Sequence, residues 1–151
     1  MDERSLIYDW NEVDYEFNRQ PANHPHGVWF DDETLRDGLQ SPSARNPTIE
    51  QKIELLGYME QLGIQKVDLG LPGAGPFHRN HIDAMLTHIR ENGYSIRPGA
   101  AVRTLMGDIE PLVEMQAKHE LAIQASAILG TSHIPHDTEA WTTDKLQTTI
   151  E

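Results

Sequence analysis

The residues whose types and spacing are best suited to chemistry fall in one segment, Asp31-Asp32-Glu33-Thr34-Leu35-Arg36-Asp37-Gly38-Leu39-Gln40. Arg36 beside Asp37 sets a permanent cation next to a hard oxygen donor, and Gly38 lets the backbone turn tightly after them. Taken alone, the same pair also reads as a solvated couple in an acidic surface loop. The chain has no cysteine. That excludes a disulfide scaffold, a thiolate zinc site and a cysteine nucleophile, and leaves Asp, Glu, His and water as candidate metal ligands. Among the histidines, His24-Pro25-His26 has a two-ligand spacing but precedes the first expected strand, so it reads as a solvent-exposed pair. His78, His81 and His88 share one expected helix with no third ligand at a sensible distance, and read as its outer face. His133 and His136 fall in a loop after the fourth expected strand, within reach of a substrate.

The elements that would position these residues alternate in type. Residues 1–26 mix acids with bulky side chains without a sustained period, and read as an extension. From Gly27 short apolar runs alternate with amphipathic stretches, the pattern of βαβ units on a parallel sheet. Val28-Trp29-Phe30 is the first expected strand, with Trp29 and Phe30 in the core. Thr48 and Gln51 form a capping-box pattern, and Ile49, Ile53, Leu55, Leu56, Met59 and Leu62 mark a helical face that Gly63 ends. Glu50, Glu54 and Glu60 read as that helix's solvated side.

Val67-Asp68-Leu69 makes a second strand, followed by the turn-rich Gly70-Leu71-Pro72-Gly73-Ala74-Gly75-Pro76. A helix from about Phe77 buries Ile82, Met85, Leu86 and Ile89 and stops at Asn92-Gly93. A strand from Ile96 to Val102 follows. A helix from Asp108 to His119 is expected to bury Ile109, Leu112 and Val113. Leu121 to Leu129 supplies a fourth strand, and Thr142 opens another helix.

These units recur about every 30 residues, close to one eighth of the roughly 250 residues of a (β/α)8 barrel. The expected fold is therefore α/β, the first four β/α units of a TIM barrel over residues 27–151, with four more units expected elsewhere. A doubly wound sheet is the alternative, but the loop after the first strand lacks the G-x-G-x-x-G phosphate fingerprint.

Composition narrows the function. In 151 residues, 12 Lys and Arg stand against 24 Asp and Glu, a formal net charge of −12. Such a chain repels nucleic acid and anionic membrane surfaces. No run approaches the roughly 20 apolar residues that span a bilayer, and the start is acidic instead of a basic signal-peptide region. A cytoplasmic protein is expected.

Phe30-Asp31-Asp32-Glu33-Thr34-Leu35-Arg36-Asp37-Gly38-Leu39-Gln40-Ser41-Pro42 resembles the signature after strand one of the DRE-TIM metallolyase superfamily, which includes isopropylmalate, homocitrate and citramalate synthases and hydroxymethylglutaryl-CoA lyase. Val67-Asp68-Leu69-Gly70-Leu71-Pro72 is similar to the family's E-x-G-x-P segment, and Gly130-Thr131-Ser132 to the loop after its fourth strand. The resemblance implies that Asp37 ligates a divalent metal (Mg, Mn or Zn) and that Arg36 stabilises enolate or oxyanion charge. It implies substrate contacts for Gln40, Asp68, Arg103, Thr131 and Ser132, with a structural salt bridge the equal alternative for Arg103.

The implied activity is a metal-dependent condensation of acetyl-CoA with a 2-keto acid in amino-acid biosynthesis, by a homodimer of the full-length protein. Asp68 stands where the family commonly has Glu, which shortens the carboxylate's reach by one methylene. Leu39 stands where many synthases have Glu and resembles the lyases, so a carbon-carbon lyase is the runner-up. The family takes two further metal ligands from a later H-x-H, so the chain is expected to be an incomplete, N-terminal half. A reading of a different class is a truncated half-barrel that is inactive by itself.

Overall fold

The computed structural model describes residues 29–129 together with Asp144 and Thr148. Trp29–Ile128 forms one compact unit. In chain order it runs β1 (Asp31–Asp32), a 3-10 turn (Gly38–Gln40), α1 (Ile49–Gln61), β2 (Lys66–Asp68), a second 3-10 turn (Pro72–Ala74), α2 (Pro76–Asn92), β3 (Arg97–Arg103), α3 (Met106–His119) and β4 (Gln124–Ile128). The strands form one parallel sheet in the order β1-β2-β3-β4. A doubly wound sheet reverses its order at a switch point, and none occurs among the described strands. Consecutive parallel crossovers share one hand, and α1 packs on α2 and α2 on α3 accordingly.

Local chemistry accounts for the helix limits. Thr48 Oγ1 accepts from Gln51 N, and Gln51 Oε1 accepts from Thr48 N at 2.9 Å, which closes the expected capping box. α1 ends where Gly63 turns to φ +74°, with Ile64 N donating to Met59 O and Gly63 N to Glu60 O. α2 ends in the same motif at Gly93, φ +61°. Ile82, Met85, Leu86 and Ile89 are buried as expected, and β3 is buried on both faces from Pro98 to Val102, as an inner parallel strand requires.

Several expectations are corrected. The first strand is Asp31–Asp32, because pairing with β2 begins at the Phe30 carbonyl, which accepts from Lys66 N, and Phe30 N is taken by the Gln65 side chain. Trp29 and Phe30 are therefore 53% and 63% exposed, not core, and the Arg97 guanidinium lies 4.3 Å from the centre of the Trp29 ring. Leu62 is exposed because it caps α1 beyond its packed face, while Lys52 occupies the inward stripe with Leu56 and Met59. Val113 is exposed, and the stripe of α3 continues through Leu112, Met115 and His119. Glu60 is no solvated side chain: it accepts from Ser95 N, Ser95 Oγ and Ile96 N, fixing the entry to β3. The helix expected from Thr142 lies outside the described residues, apart from Asp144 and Thr148, which are helical.

Besides the exposed Glu50, lowered by its hydrogen bonds with the Thr48 side chain and its own backbone amide, three carboxylates are held below their ordinary pKa. Burial pushes Glu60 up, but hydrogen bonds from Ser95 and Ile96 outweigh it. For Asp83, burial is likewise outweighed by Lys118 and His119. Asp108 is lowered chiefly by its hydrogen bond from Arg103, against burial. A depressed folded-state pKa contributes stability that is present above the unfolded value and lost as pH falls through the folded one. Urea midpoints are accordingly expected to hold from neutral pH down to about pH 4 and to fall steadily below it; a flat profile down to pH 2 would contradict this. Glu120 ends α3 at φ 55°, ψ 32°, a left-handed conformation in which glycine avoids a penalty of about 1 kcal/mol. Glu120→Gly should raise the Tm by a few degrees in a thermal melt.

Candidate active site

The first loop folds back because its own polar groups are satisfied locally. Asp32 Oδ1 accepts from Thr34 N at 2.8 Å, and Glu33 O accepts from both Arg36 N and Gly38 N. Leu35 is buried in the core and anchors the loop. Arg36 is thereby turned across the C-terminal end of β2. Its Nε donates to Asp68 Oδ2 at 3.3 Å, its Nη1 to Asp37 Oδ1 at 3.2 Å, and its Nη2 to Glu33 Oε2. Burial alone would lower the guanidinium's pKa, but Glu33, Asp68 and Asp37 outweigh it and raise it.

The three carboxylates are not equivalent. Asp68 is buried, with 3% of its side chain exposed, and its second oxygen accepts from Gly70 N at 2.9 Å. Gly70 adopts φ +136°, a conformation open essentially to glycine, so the strand end can curl onto its own aspartate. Asp37 keeps 65% of its side chain exposed. Three bonds occupy three of the five N–H groups of a guanidinium, so among the described residues two remain to donate. Three carboxylates around one cation give the cluster a formal charge of −2, which attracts a cation.

The structure thus brings Arg36, Asp37 and Asp68 together at the C-terminal edge of the sheet. Gln40 closes the 3-10 turn on the same side, its N donating to Asp37 O. Arg103 leaves the C-terminal end of β3 but is clamped by Asp108, with Nε to Oδ2 at 2.7 Å and Nη2 to Oδ1 at 2.8 Å. A salt bridge is thus present at Arg103, whose side chain nevertheless stays largely exposed. Gly73 is what lets the second loop pack on Asp108: a Cβ there would lie 1.9 Å from Asp108 Oδ1. Thr131, Ser132, His133, His136, His24 and His26 lie outside the described residues.

Sequence reasoning missed Glu33, although its position three residues before Arg36 was a signal of pairing. It also missed a cleft of about 210 Å³ beside Arg36 and Gln40, whose opposite walls carry Lys52 from α1 and His78 and His81 from α2. His81 therefore faces a cavity instead of the outer surface. His88 is structural, its Nε2 lying 3.1 Å from Tyr94 Oη.

The donor chemistry suits one position of a divalent ion. Asp37 offers a hard, exposed carboxylate oxygen beside a fixed cation. Among the described residues no group of three His, Asp or Glu side chains converges to hold a metal. Further ligands would have to come from elsewhere.

A parallel α/β sheet with a charged cluster at the C-terminal ends of its strands is the arrangement of an enzyme that works from its loops. The chain belongs to the HMGL-like family, whose profile matches residues 28–151. It is 28% identical over 109 residues to homocitrate synthase AksA of Methanopyrus kandleri, covering 72% of this chain and 26% of that protein. It is 38% identical over 79 residues to 2-isopropylmalate synthase of Campylobacter fetus subsp. fetus, covering 52% and 15%. It is 40% identical over 52 residues to 2-isopropylmalate synthase of Sediminispirochaeta smaragdinae, covering 34% and 10%. The matched stretch thus spans about a quarter or less of each relative's length.

Asp68→Ala should cost about 3 kcal/mol in urea unfolding, because it strips a partner from a part-buried guanidinium and from Gly70 N. Asp37→Ala should cost under about 1 kcal/mol, as expected of an exposed pair. Equal costs for the two would show that the cluster is not built around Asp68.

Proposed function

We propose that this chain is the N-terminal part of a (β/α)8 barrel enzyme that condenses acetyl-CoA with a 2-keto acid. The observation that carries the reading is Arg36, fixed by a buried carboxylate and presented beside the exposed Asp37 at the C-terminal edge of the sheet. Sequential strand order and the names of the relatives support it.

Asp37 supplies one oxygen ligand to a divalent ion. When bound, such an ion would supply Lewis-acid polarisation of the keto acid's carbonyl. The two remaining N–H groups of Arg36 donate to the oxygen on which charge grows in the transition state, where preorganised donors contribute most. Asp68 holds the guanidinium at that oxygen, and Asp37 is free to act because its own fold contribution is small. Gln40, on the same turn, contacts substrate. Arg103, whose orientation Asp108 fixes, meets the substrate carboxylate. In overall balance, acetyl-CoA, the keto acid and water give a 2-hydroxy dicarboxylate and free CoA. Thr131 and Ser132 complete the substrate contacts in this reading, and the full-length protein acts as a cytoplasmic homodimer.

A second reading rests on Leu39, which occupies the position where the lyases of the family differ from many synthases. In it the same cluster cleaves a 3-hydroxyacyl-CoA.

Product analysis on the full-length protein separates the two. Incubation with acetyl-CoA and a panel of 2-keto acids should yield CoA and a 2-hydroxy dicarboxylate in equal amounts; thioester cleavage without a condensed product sinks the synthase reading. Arg36→Lys keeps a charge but loses the planar fork, and should lower kcat about 10²-fold to 10³-fold with a smaller change in KM.

A further inference from the structure

The chain carries a net charge of −12, yet the cleft between the N-terminal turns of α1 and α2 has the opposite character. Its lining includes Lys52, His78, His81 and Arg36 and no acidic side chain. The carboxylates that hold Arg36 turn away from it, since none of Glu33, Asp37 and Asp68 lines the cavity.

Two groups in this cleft lack a counter-charge or a hydrogen-bond partner among the described residues. Lys52 is only 4% exposed, and among the described residues no carboxylate lies within salt-bridge distance of it; its ammonium lies 5.9 Å from the centre of the Phe77 ring. Burial lowers its pKa. Among the described residues His81 Nδ1 is buried without a hydrogen-bond partner, and its ring packs against Phe77 with centres 4.2 Å apart and planes tilted by 43°. Burial first, and then Lys52 and His78, lower the His81 pKa against a small opposing effect of Glu50. An ammonium held inside the protein without a counter-charge is unfavourable, and so is a buried ring nitrogen without a partner. Both costs vanish together if one negatively charged oxygen group enters the cleft.

We propose that this cleft is a binding site for a small oxyanion, a phosphate or carboxylate group carrying a short apolar tail, with Lys52 and His81 as its charged and hydrogen-bonding contacts. Lys52 supplies a point charge and His81 a ring N–H, a pairing suited to any compact oxyanion. Leu39 and Leu71, which also line the cleft, accommodate carbon rather than a second charge. The cleft shares Arg36 and Gln40 with the proposed active site, and its own contacts, Lys52 and His81, have no part in that reading.

Inorganic phosphate and isobutyrate, each titrated into the protein at pH 7 against sodium chloride of matched ionic strength, distinguish the two sources of the anion. The readout is the set of histidine ring signals in long-range 1H–15N spectra. Saturable shifts of His78 and His81 with either probe, and a rise in the His81 pKa, are expected. In Lys52→Met binding should weaken about tenfold or more, the loss of one charge-assisted contact, while the Tm in chloride holds or rises because an unpaired buried charge is gone. His81→Phe keeps the packing against Phe77 and should also weaken binding. No shift beyond the chloride control with either probe, or an unchanged affinity in both variants, overturns the proposal.

Discussion

The structure of the site depends on how one buried carboxylate is satisfied. Asp68 ends β2 with its side chain inside the protein, where an unpaired charge would be expensive. Its two oxygens have different partners. One takes the amide of Gly70, which bends the strand end back, and the other takes Nε of Arg36, which draws the first loop across the sheet edge. A residue of β2 therefore sets the position of a residue that follows β1. Glu33 and Asp37 then fill the outer side of the guanidinium. Asp37 inherits a fixed place without being needed to hold the fold, a favourable condition for a ligand or catalytic group.

Charge is segregated around that hinge. Three carboxylates surround Arg36, Glu33 and Asp37 on its outer side and Asp68 beneath it, a local field suited to a cation. On the helix side stand Lys52, His78 and His81, a field suited to an anion. Arg36 belongs to both walls. The second loop is tied down independently, through the Asp108 carboxylate that grips Arg103 and packs on Gly73. Both loops are thus anchored by buried acids reaching arginines at the sheet edge.

Much of this was legible in the chain because it is local. The capping box at Thr48, the glycine stops at Gly63 and Gly93, and the stripe of α2 follow from spacing alone. So did the placement of Arg36 and Asp37 after the first strand and of Asp68 within the second, which the structure ends at Asp68. What escaped depends on partners distant in sequence. Lys52 was passed over because a lysine in a helix is usually exposed, yet its spacing from Leu56 put it inside. Glu60 looked like one of several surface acids, and only the arrival of Ser95 and Ile96, 35 and 36 residues later, gives it a role. Trp29 and Phe30 formed an apolar run, but strand pairing starts after them. Thr131 and Ser132 stand outside the described residues, and their part remains an element of the proposed function.

The central claim is that Asp37 presents an oxygen to a divalent ion beside a guanidinium fixed by Asp68. Paramagnetic broadening by substoichiometric Mn²⁺ in amide spectra of the full-length protein tests it most directly. The account predicts that signals of Asp37, Gly38 and Gly70 broaden first and that Asp37→Ala abolishes the effect. Preferential broadening at the exposed acids of α1 and α3, unchanged by that substitution, would contradict it.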